Sequence, residues 1–193
     1  MRLTVDHLTP SAGLDDLIAR LDAAIAGRTP EQACLAVASL LPLLAGSAAT
    51  FLPPAAFAPV AGHYARRLLH VSQELGYSVV AMTWAPGQGT PIHDHDRQWC
   101  VDVVCQGRLQ VTPYQVIEQD SNGWRFAAGP VEEVGLGQCS AVQPPHEHHR
   151  ICNPDPQQVV VSLHVYQGQI SRYTAFDPHG EQYLPREVVI WLD

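Results

Sequence analysis

The sequence predicts a mainly β protein, a double-sheet jelly-roll barrel preceded by N-terminal α-helices. In the first third of the chain, apolar residues recur at the three-and-four spacing of a helix face. From Tyr77 onward, short runs rich in Val, Thr and aromatic residues alternate with Gly and Pro clusters, a pattern typical of antiparallel strands. A closed double sheet protects its strand edges and encloses a pocket. We therefore expect one domain over residues 1–193, mainly helical over 1–70 and β over 77–193.

Two helices are predicted before the strands begin. The first has one apolar face and Ser11 as its candidate cap, and the residues of that face are Leu14, Leu17, Ile18, Leu21 and Ile25. The second begins where Thr29 can cap the helix, Pro30 suits the first helical position and Gln32 can close a capping box. Pro42 is expected to end that helix. Residues 63–67 are expected in a third short helix or a loop.

Eight short strands are expected after residue 77, because each apolar or β-branched run is bounded by turn residues. They are 78–84, 99–105, 108–115, 124–127, 132–136, 140–143, 149–153 and 159–166. We find no internal repeat, linker or low-complexity tract in the sequence.

The composition argues against several classes of partner. The chain is 46% hydrophobic, and 11 Lys and Arg against 19 Asp and Glu give a formal charge of -8, which argues against a nucleic-acid or anionic-membrane surface. The longest apolar stretch, near 35–45, is too short to span a bilayer, and no signal-peptide pattern opens the sequence, so a cytoplasmic location is expected. Five cysteines without a CxxC pair predict neither a disulfide framework nor a zinc ribbon. A monomer is the expected oligomeric state.

A candidate metal site is the pair His93 and His95, separated by one residue. Successive side chains on a strand point to opposite faces, so these two can point the same way and bind one metal ion. A third imidazole from a distant strand would complete a facial three-histidine set with open positions, which favours catalysis over a structural role. His146, His148 and His149 are the choices, and alternation alone puts His149 on the opposite face from the other two.

Two motifs around these histidines resemble those of the cupin fold. Gly87, His93, His95, Cys100 and Gly107 match the spacing Gly-x5-His-x-His-x4-Glu-x6-Gly, except that Cys100 replaces the glutamate. A second, looser motif matches at Pro144, His149 and Asn153, with His146 in place of a glycine. The resemblance implies a cupin double-stranded β-helix and selects His149 as the third ligand.

Beyond the cupin motifs, residues 64–177 resemble the thiol dioxygenases, and most of all the cysteine dioxygenase family. In that family a His-Arg pair is followed, fifteen residues after the histidine, by Ser-x-His-x-Tyr; here His149-Arg150 precedes Ser162-Leu163-His164-Val165-Tyr166. The resemblance implies a mononuclear non-haem Fe(II) held by three neutral histidines. The implied reaction adds both atoms of O2 to the sulfur of L-cysteine, which gives cysteine sulfinic acid.

The resemblance also implies roles for residues outside the histidine set. Ser162, His164 and Tyr166 lie two apart, so one strand face can carry them as a hydrogen-bond chain in which Ser162 orients His164 and His164 orients Tyr166. Cys100 stands where some members form a thioether to that tyrosine, although a cysteine is also simply a small buried hydrophobe. Arg66, with Tyr64, corresponds to the substrate-carboxylate site; adjacent Arg67 leaves the register open.

Several alternatives stay open on the sequence. Arg66 favours L-cysteine as the substrate, whereas 79–89 resembles the 3-mercaptopropionate branch; mercaptosuccinate is a further candidate. A non-catalytic, metal-binding cupin and a zinc-dependent cupin isomerase are the rivals from other classes. Asp102 shares strand parity with Cys100 and is a candidate partner for a substrate amine, and Trp99 is a candidate for the pocket edge.

Overall fold

The computed structural model describes residues 12–193, so the predicted cap Ser11 lies outside the described residues. Two α-helices, α1 (Ala12–Ile25) and α2 (Pro30–Ala45), are followed by 3₁₀ turns at Ala48–Thr50 and Pro54–Phe57. The strands are β1 (Ala65–Ser72), β2 (Tyr77–Trp84), β3 (Ile92–His93), β4 (Cys100–Gln106), β5 (Arg108–Asp120), β6 (Gly123–Ala128), β7 (Glu132–Gly135), β8 (Cys139–Val142), β9 (His149–Cys152), β10 (Val160–Gln167), β11 (Arg172–His179) and β12 (Gln182–Val189).

Helix α2 begins as the sequence predicts but ends later. The Thr29 side chain accepts from the Gln32 backbone, and the Gln32 side chain accepts from the Thr29 backbone, so the capping box is confirmed. The prediction that Pro42 ends the helix is wrong, because α2 continues to Ala45. Pro42 has no N–H to donate to the carbonyl of Ala38. The Cys139 thiol, 3.4 Å from that carbonyl oxygen, donates to it instead.

The strands form two antiparallel sheets. The five-stranded sheet has the order β1-β2-β10-β4-β8, and the seven-stranded sheet has the order β6-β12-β11-β3-β9-β5-β7, with β6 also pairing with β5. The predicted jelly-roll class is confirmed: the fold is a cupin double-stranded β-helix with two N-terminal helices. Neither helix in residues 12–193 has the length and apolar character that crossing a bilayer requires.

Two cores lie on opposite faces of the five-stranded sheet. The outer face packs against α1 and α2, with Leu21, Val37 and Leu163 among the fully buried contributors. The inner face packs between the sheets, around Trp84 and Leu109. Because both faces are covered, β2 is buried at all eight positions. Alternate residues of the central strands therefore point either to the helices or into the barrel.

The predicted strands appear with end shifts of a few residues, while four further strands were not predicted. The prediction of a third short helix or loop over 63–67 is wrong from Ala65 onward, because β1 begins there and pairs with β2. The adjacent Arg66 and Arg67 hide the alternation in β1, and pairing with a buried neighbour outweighs that local pattern. Strand β3 is only two residues long, and β11 and β12 carry mixed polar sequences, so none has a clear period-2 signal.

Candidate metal centre and ligand pocket

Three histidines converge at the inner face of the seven-stranded sheet. His93 on β3 is the register partner of His149 on β9, and His95 follows β3 by two residues. One ring nitrogen of each lies within 4.8 Å of those of the other two. Their exposed fractions are 9% for His93, 3% for His95 and 1% for His149. This arrangement brings the predicted HxH pair and one of the three candidate partners together.

The donor set fits a metal ion. Nδ1 of His95 and both ring nitrogens of His149 are buried without a hydrogen-bond partner among the described residues. Burial lowers the pKa of His93 to about 4 and holds the pKa values of His95 and His149 well below their usual range. The rings are therefore neutral at pH 7, and a neutral imidazole with an unused lone pair is the form that ligates metals.

Neighbouring groups hold this cluster in position. Nδ1 of His93 lies 3.2 Å from the carbonyl oxygen of Pro91, which leaves its Nε2 for the site. The backbone N–H of His95 donates to the buried carboxyl of Glu147 at 3.2 Å, and burial raises the pKa of Glu147 to about 7. The Asp94 carboxylate accepts from the backbone of Thr174 at 2.7 Å, which ties the HxH turn to β11.

The other two candidates for the third ligand lie elsewhere. His146 is exposed. His148 packs against the aromatic rings of Trp124, Phe126 and Phe176, with ring centroids 5.3–5.9 Å away. The strand alternation that separates His148 from His149 thus sends one imidazole to an aromatic cluster and the other to the histidine centre.

A cavity of about 120 Å³ opens beside the histidines. Its polar and aromatic walls include all three histidines and residues from both sheets: Tyr64, Arg66, Ser78, Trp84, Asp94, His164, Tyr166 and Tyr173. Leu68, Met82, Ile190 and Leu192 are among its apolar walls.

Arg66 forms the cationic end of this cavity. It is 5% exposed, and one of its terminal N–H groups donates to the Tyr64 hydroxyl. Its Cζ lies 4.6, 5.3 and 5.1 Å from the ring centroids of Tyr64, Tyr173 and Trp191. Nε and Nη1 are buried without a hydrogen-bond partner among the described residues. A buried guanidinium with unused N–H groups favours an anionic partner such as a carboxylate.

The neighbouring arginine has a structural position. Arg67 points to the opposite face of β1, where its guanidinium donates to the Thr83 hydroxyl at 3.1 Å and to the Ala58 carbonyl at 2.9 Å. The register that the sequence left open is thereby resolved in favour of Arg66 facing the cavity.

The three polar residues of β10 share the inner face of the five-stranded sheet. Ser162 Oγ and His164 Nε2 are 2.8 Å apart, and Trp84 Nε1 donates to the same hydroxyl oxygen at 2.9 Å. The rings of His164 and Tyr166 lie nearly parallel with centroids 6.1 Å apart. Burial lowers the pKa of His164 to about 3 and, with the nearby Cys100, raises the pKa of Tyr166 well above its usual value. Both side chains are therefore neutral.

The family model for cysteine dioxygenase type I matches residues 45–179, from the end of α2 to the end of β11. The chain belongs to the cysteine dioxygenase type I family. Similar curated proteins include cysteine dioxygenase type 1 of Homo sapiens, 29% identical over 101 residues that cover 52% of this chain and 50% of the relative. The Danio rerio enzyme is 23% identical over 115 residues, covering 60% and 57%. The chain thus spans about half the length of the curated relatives it matches.

Solved structures with a similar course of the chain have low sequence identity. A conserved protein with a double-stranded β-helix domain from Klebsiella pneumoniae is 19% identical, with a TM-score of 0.45, covering 60% of this chain and 87% of that one. A cupin 2 domain-containing protein from Halorhodospira halophila is 16% identical, with a TM-score of 0.46, covering 64% and 76%.

Three further residues that the sequence singled out in this cysteine dioxygenase family member do not line the cavity. Cys100 is the register partner of Tyr166, is buried, and has a pKa that burial raises well above its usual value. Asp102 lies opposite His164, is 0% exposed, and has a pKa that burial raises to about 7. Trp99 packs in the outer core beside the helices. Neither Asp102 nor Trp99 lines the cavity, and the proposal that Asp102 contacts a substrate amine stays a prediction.

Sequence reasoning missed several residues that shape the site. Trp84 and Tyr173 act through ring contacts and a single hydrogen bond, and Glu147 through a backbone bond to a residue 52 positions earlier. Trp191 reaches Arg66 across 125 positions of sequence. Of these residues, Glu147 has a signal in the sequence, because it lies within the histidine-rich run at 146–149.

Proposed function

We propose that this protein is a mononuclear non-haem Fe(II) thiol dioxygenase that converts L-cysteine and O2 to cysteine sulfinic acid. The observation that carries the proposal is the shared cavity: three neutral imidazoles meet at one side, and the buried guanidinium of Arg66 lines it at another. Membership of the cysteine dioxygenase type I family supports the same chemistry.

His93, His95 and His149 would hold the metal. Fe(II) bound there would supply open coordination positions for a thiolate and for dioxygen, whose two atoms pass to the sulfur without an external reductant. Because all three protein ligands are neutral, the site suits an anionic thiolate as a further ligand. Asp94 and Glu147 keep the histidines in place through their backbone contacts.

Arg66 would bind the substrate carboxylate. The buried guanidinium can donate charge-assisted hydrogen bonds to that carboxylate, which supply both affinity and orientation. Tyr64 supports the guanidinium from one side through its hydroxyl, while Tyr173 and Trp191 contribute aromatic surface.

Tyr166 would act as a hydrogen-bond donor toward the reacting groups. Its phenol stays protonated because burial raises its pKa, so the O–H is available at neutral pH. His164 packs parallel to the phenol ring, and Ser162 holds the imidazole of His164 through Nε2. The indole N–H of Trp84 fixes the Ser162 hydroxyl. No hydrogen bond joins His164 to Tyr166 among the described residues, so the predicted chain ends at His164, and we propose that ring packing orients the phenol.

Cys100 is a candidate partner for a thioether to the ring of Tyr166. The two residues are direct partners across β4 and β10, which supports this proposal. Formation of the bond removes two hydrogens, with O2 at the loaded site as the oxidant. Intact mass spectrometry of protein after turnover tests it: a mass lower by two hydrogens, absent in Cys100→Ser, supports the crosslink, and an unchanged mass contradicts it.

We also propose that residues 1–193 form one cytoplasmic domain that acts as a monomer on a small thiol and O2. The acidic charge balance supports the choice of small-molecule partners, since it disfavours nucleic acid and anionic membranes. Sedimentation velocity of the purified protein measures the oligomeric state directly, and a dimer at micromolar concentration would contradict the proposal.

The deciding experiment is oxygen consumption by anaerobically Fe(II)-loaded protein. L-Cysteine, 3-mercaptopropionate and mercaptosuccinate are compared side by side, and the sulfinate products are identified by mass spectrometry. We expect L-cysteine to give the highest kcat/KM and one O2 consumed per sulfinate formed. The same protein loaded with Zn²⁺ is the control, because zinc occupies a histidine site but has no redox chemistry.

The outcomes separate the levels of the proposal. A clear preference for 3-mercaptopropionate or mercaptosuccinate would keep the dioxygenase and overturn L-cysteine as the substrate. No oxygen uptake with any of the three thiols, in protein shown to contain stoichiometric iron, would overturn the dioxygenase and favour a non-catalytic cupin.

A further inference from the structure

The residues after β12 make an unusual set of contacts with Arg66. The backbone N–H of Asp193 donates to the carbonyl of Arg66 at 2.8 Å, and the backbone N–H of Arg66 donates to Asp193 Oδ2 at 2.9 Å. Asp193 Oδ1 lies 2.9 Å from His63 Nε2. The carboxylate of Asp193 therefore joins the two ends of the short stretch that leads into β1.

The same segment covers the guanidinium. The Trp191 ring lies 5.1 Å from the Cζ of Arg66 and meets the ring of His63 edge-on, with centroids 5.7 Å apart. Ile190 and Leu192 line the cavity itself. The 190–193 segment, defined by these four residues, thus supplies part of the cavity wall and part of the packing around its cation.

These contacts hold Arg66 without occupying Nε and Nη1 of its side chain. An indole face attracts a guanidinium through its ring quadrupole and consumes no hydrogen-bond donor. The carboxylate of Asp193 accepts from the backbone of Arg66, and Nε and Nη1 of the side chain have no partner among residues 12–193. A carboxylate placed on the guanidinium itself would compete with a carboxylated substrate. The segment therefore restrains the cation without placing a carboxylate on its guanidinium.

The segment itself depends on these contacts. Strand β12 ends at Val189, and Trp191 and Leu192 are 43% and 49% exposed, so this stretch lacks the support of a buried strand. Its amides are held at two points, Ile190 to the carbonyl of Ser171 and Asp193 to that of Arg66. A chain segment with so few anchors opens at low free-energy cost when one anchor is removed.

We propose that the 190–193 segment determines selectivity for carboxylated thiols by positioning Arg66, with Asp193 and Trp191 as its positioning residues. The inference rests on the proposed function, because it gives Arg66 the substrate carboxylate as its ligand. Neither residue touches the reacting sulfur, so each acts through the geometry of the guanidinium.

The kinetic test uses Asp193→Ala and Trp191→Ala in iron-loaded protein, each alone and combined with Arg66→Gln. We expect either single variant to raise the KM for the preferred carboxylated thiol by roughly 3- to 30-fold, with kcat within about two-fold of the parent. In the Arg66→Gln background the same substitutions should change KM by less than about two-fold, since the group they position is gone. Glu187→Ala, which removes an exposed carboxylate from β12, is the matched control.

A second measurement keeps the inference separable from the dioxygenase assignment. Deuterium uptake by residues 186–193 is followed anaerobically, with and without 3-mercaptopropionate, so no turnover is needed. Faster uptake in Asp193→Ala than in Glu187→Ala, with slower uptake on ligand binding in the parent, supports the positioning role even if no thiol is oxidised. Three results would overturn the positioning role. The Asp193→Ala and Trp191→Ala substitutions could change KM equally with and without Arg66, or they could lower kcat alone. Deuterium uptake by residues 186–193 could also be the same with and without ligand.

Discussion

The two ends of the cavity are built in different ways. The histidine end lies on β3 and β9, where His93 and His149 are direct register partners and His95 follows two residues later. The arginine end is assembled from β1, from Tyr173 on β11 and from the 190–193 segment, which are far apart in sequence. The first end depends on strand register, whereas the second depends on long-range packing.

The two ends also differ in charge. Burial keeps the histidines neutral, so that end offers lone pairs. Arg66 keeps its charge, surrounded by aromatic rings and the Tyr64 hydroxyl. The proposed carboxylated thiol would place its sulfur at the metal held by the histidines and its carboxylate at the cation. The chemical step therefore rests on the histidine end and the choice of substrate on the arginine end. Mutations at one end should affect one property and leave the other unchanged.

The largest effect is expected at the histidine end. His95→Ala should lower both bound iron and oxygen consumption by on the order of 100-fold or more, because even loss of a group that merely orients a metal ligand costs roughly 10- to 100-fold. Metal analysis and oxygen uptake of the same preparation check this. His148→Ala is the control. His148 is next to His149 in the sequence but faces the aromatic cluster, so this variant should retain iron. Full iron content in His95→Ala would contradict the ligand assignment.

At the arginine end, Arg66→Gln should raise the KM for a carboxylated thiol by on the order of 10- to 100-fold, since a hydrogen bond to a charged group contributes about 1.5–3 kcal/mol. Iron content should be unchanged. The matched variant Arg67→Gln breaks the contacts with Thr83 and Ala58 and should lower thermal stability while it leaves KM unchanged. If Arg67→Gln raised KM as much as Arg66→Gln, the assignment of the substrate carboxylate to Arg66 would be wrong.

The neutral histidines predict acid sensitivity of the metal-free protein. Burial lowers the pKa values of His93 and His164 to about 4 and about 3, and those of His95 and His149 also fall, so the unfolded state binds more protons below pH about 6.5. Their stabilising contribution is complete above that pH and is lost as the pH falls toward 4, by up to about 1.4 kcal/mol per pH unit for each histidine.

Two carboxyls act in the opposite sense. The pKa values of Asp102 and Glu147 are raised to about 7, so their contribution is present at low pH and is lost as the pH rises through 7. Four histidines outnumber two carboxyls, and we expect the urea midpoint of the metal-free protein to fall between pH 7 and pH 5. A midpoint independent of pH would contradict the burial of these histidines in the neutral form.

The smallest effect is expected for Ser162→Ala, which removes the partner of His164 Nε2 and the acceptor of the Trp84 indole. We expect kcat to fall a few-fold and stability by about 1–2 kcal/mol. Thr83→Val removes another buried hydroxyl, from the outer face of β2, and should cost similar stability without a change in kcat. An equal loss of kcat in both variants would mean that Ser162 acts through stability alone.

The sequence carries the signals that are local. The capping box of α2 follows from Thr29 and Gln32, three residues apart, and the structure contains it. Most of the strands follow from short apolar runs between turns. Strand β1 is not predictable locally, because Arg66 and Arg67 give no apolar alternation. The continuation of α2 past Pro42 is not predictable either, because the Cys139 thiol that donates to the Ala38 carbonyl lies 97 positions after Pro42 in the sequence.

By itself, the sequence determined the cupin class, the HxH pair and the spacing of Ser162, His164 and Tyr166, because strand alternation and fixed spacing are properties of contiguous residues. Motif resemblance pointed to His149 and Arg66, but strand alternation and the adjacent Arg67 left both open. The tertiary structure places Arg66 at the cavity, His149 in the histidine centre and Trp191 beside the guanidinium. These outcomes depend on which distant strands pair and in what register, and a one-residue change of register reverses every side chain.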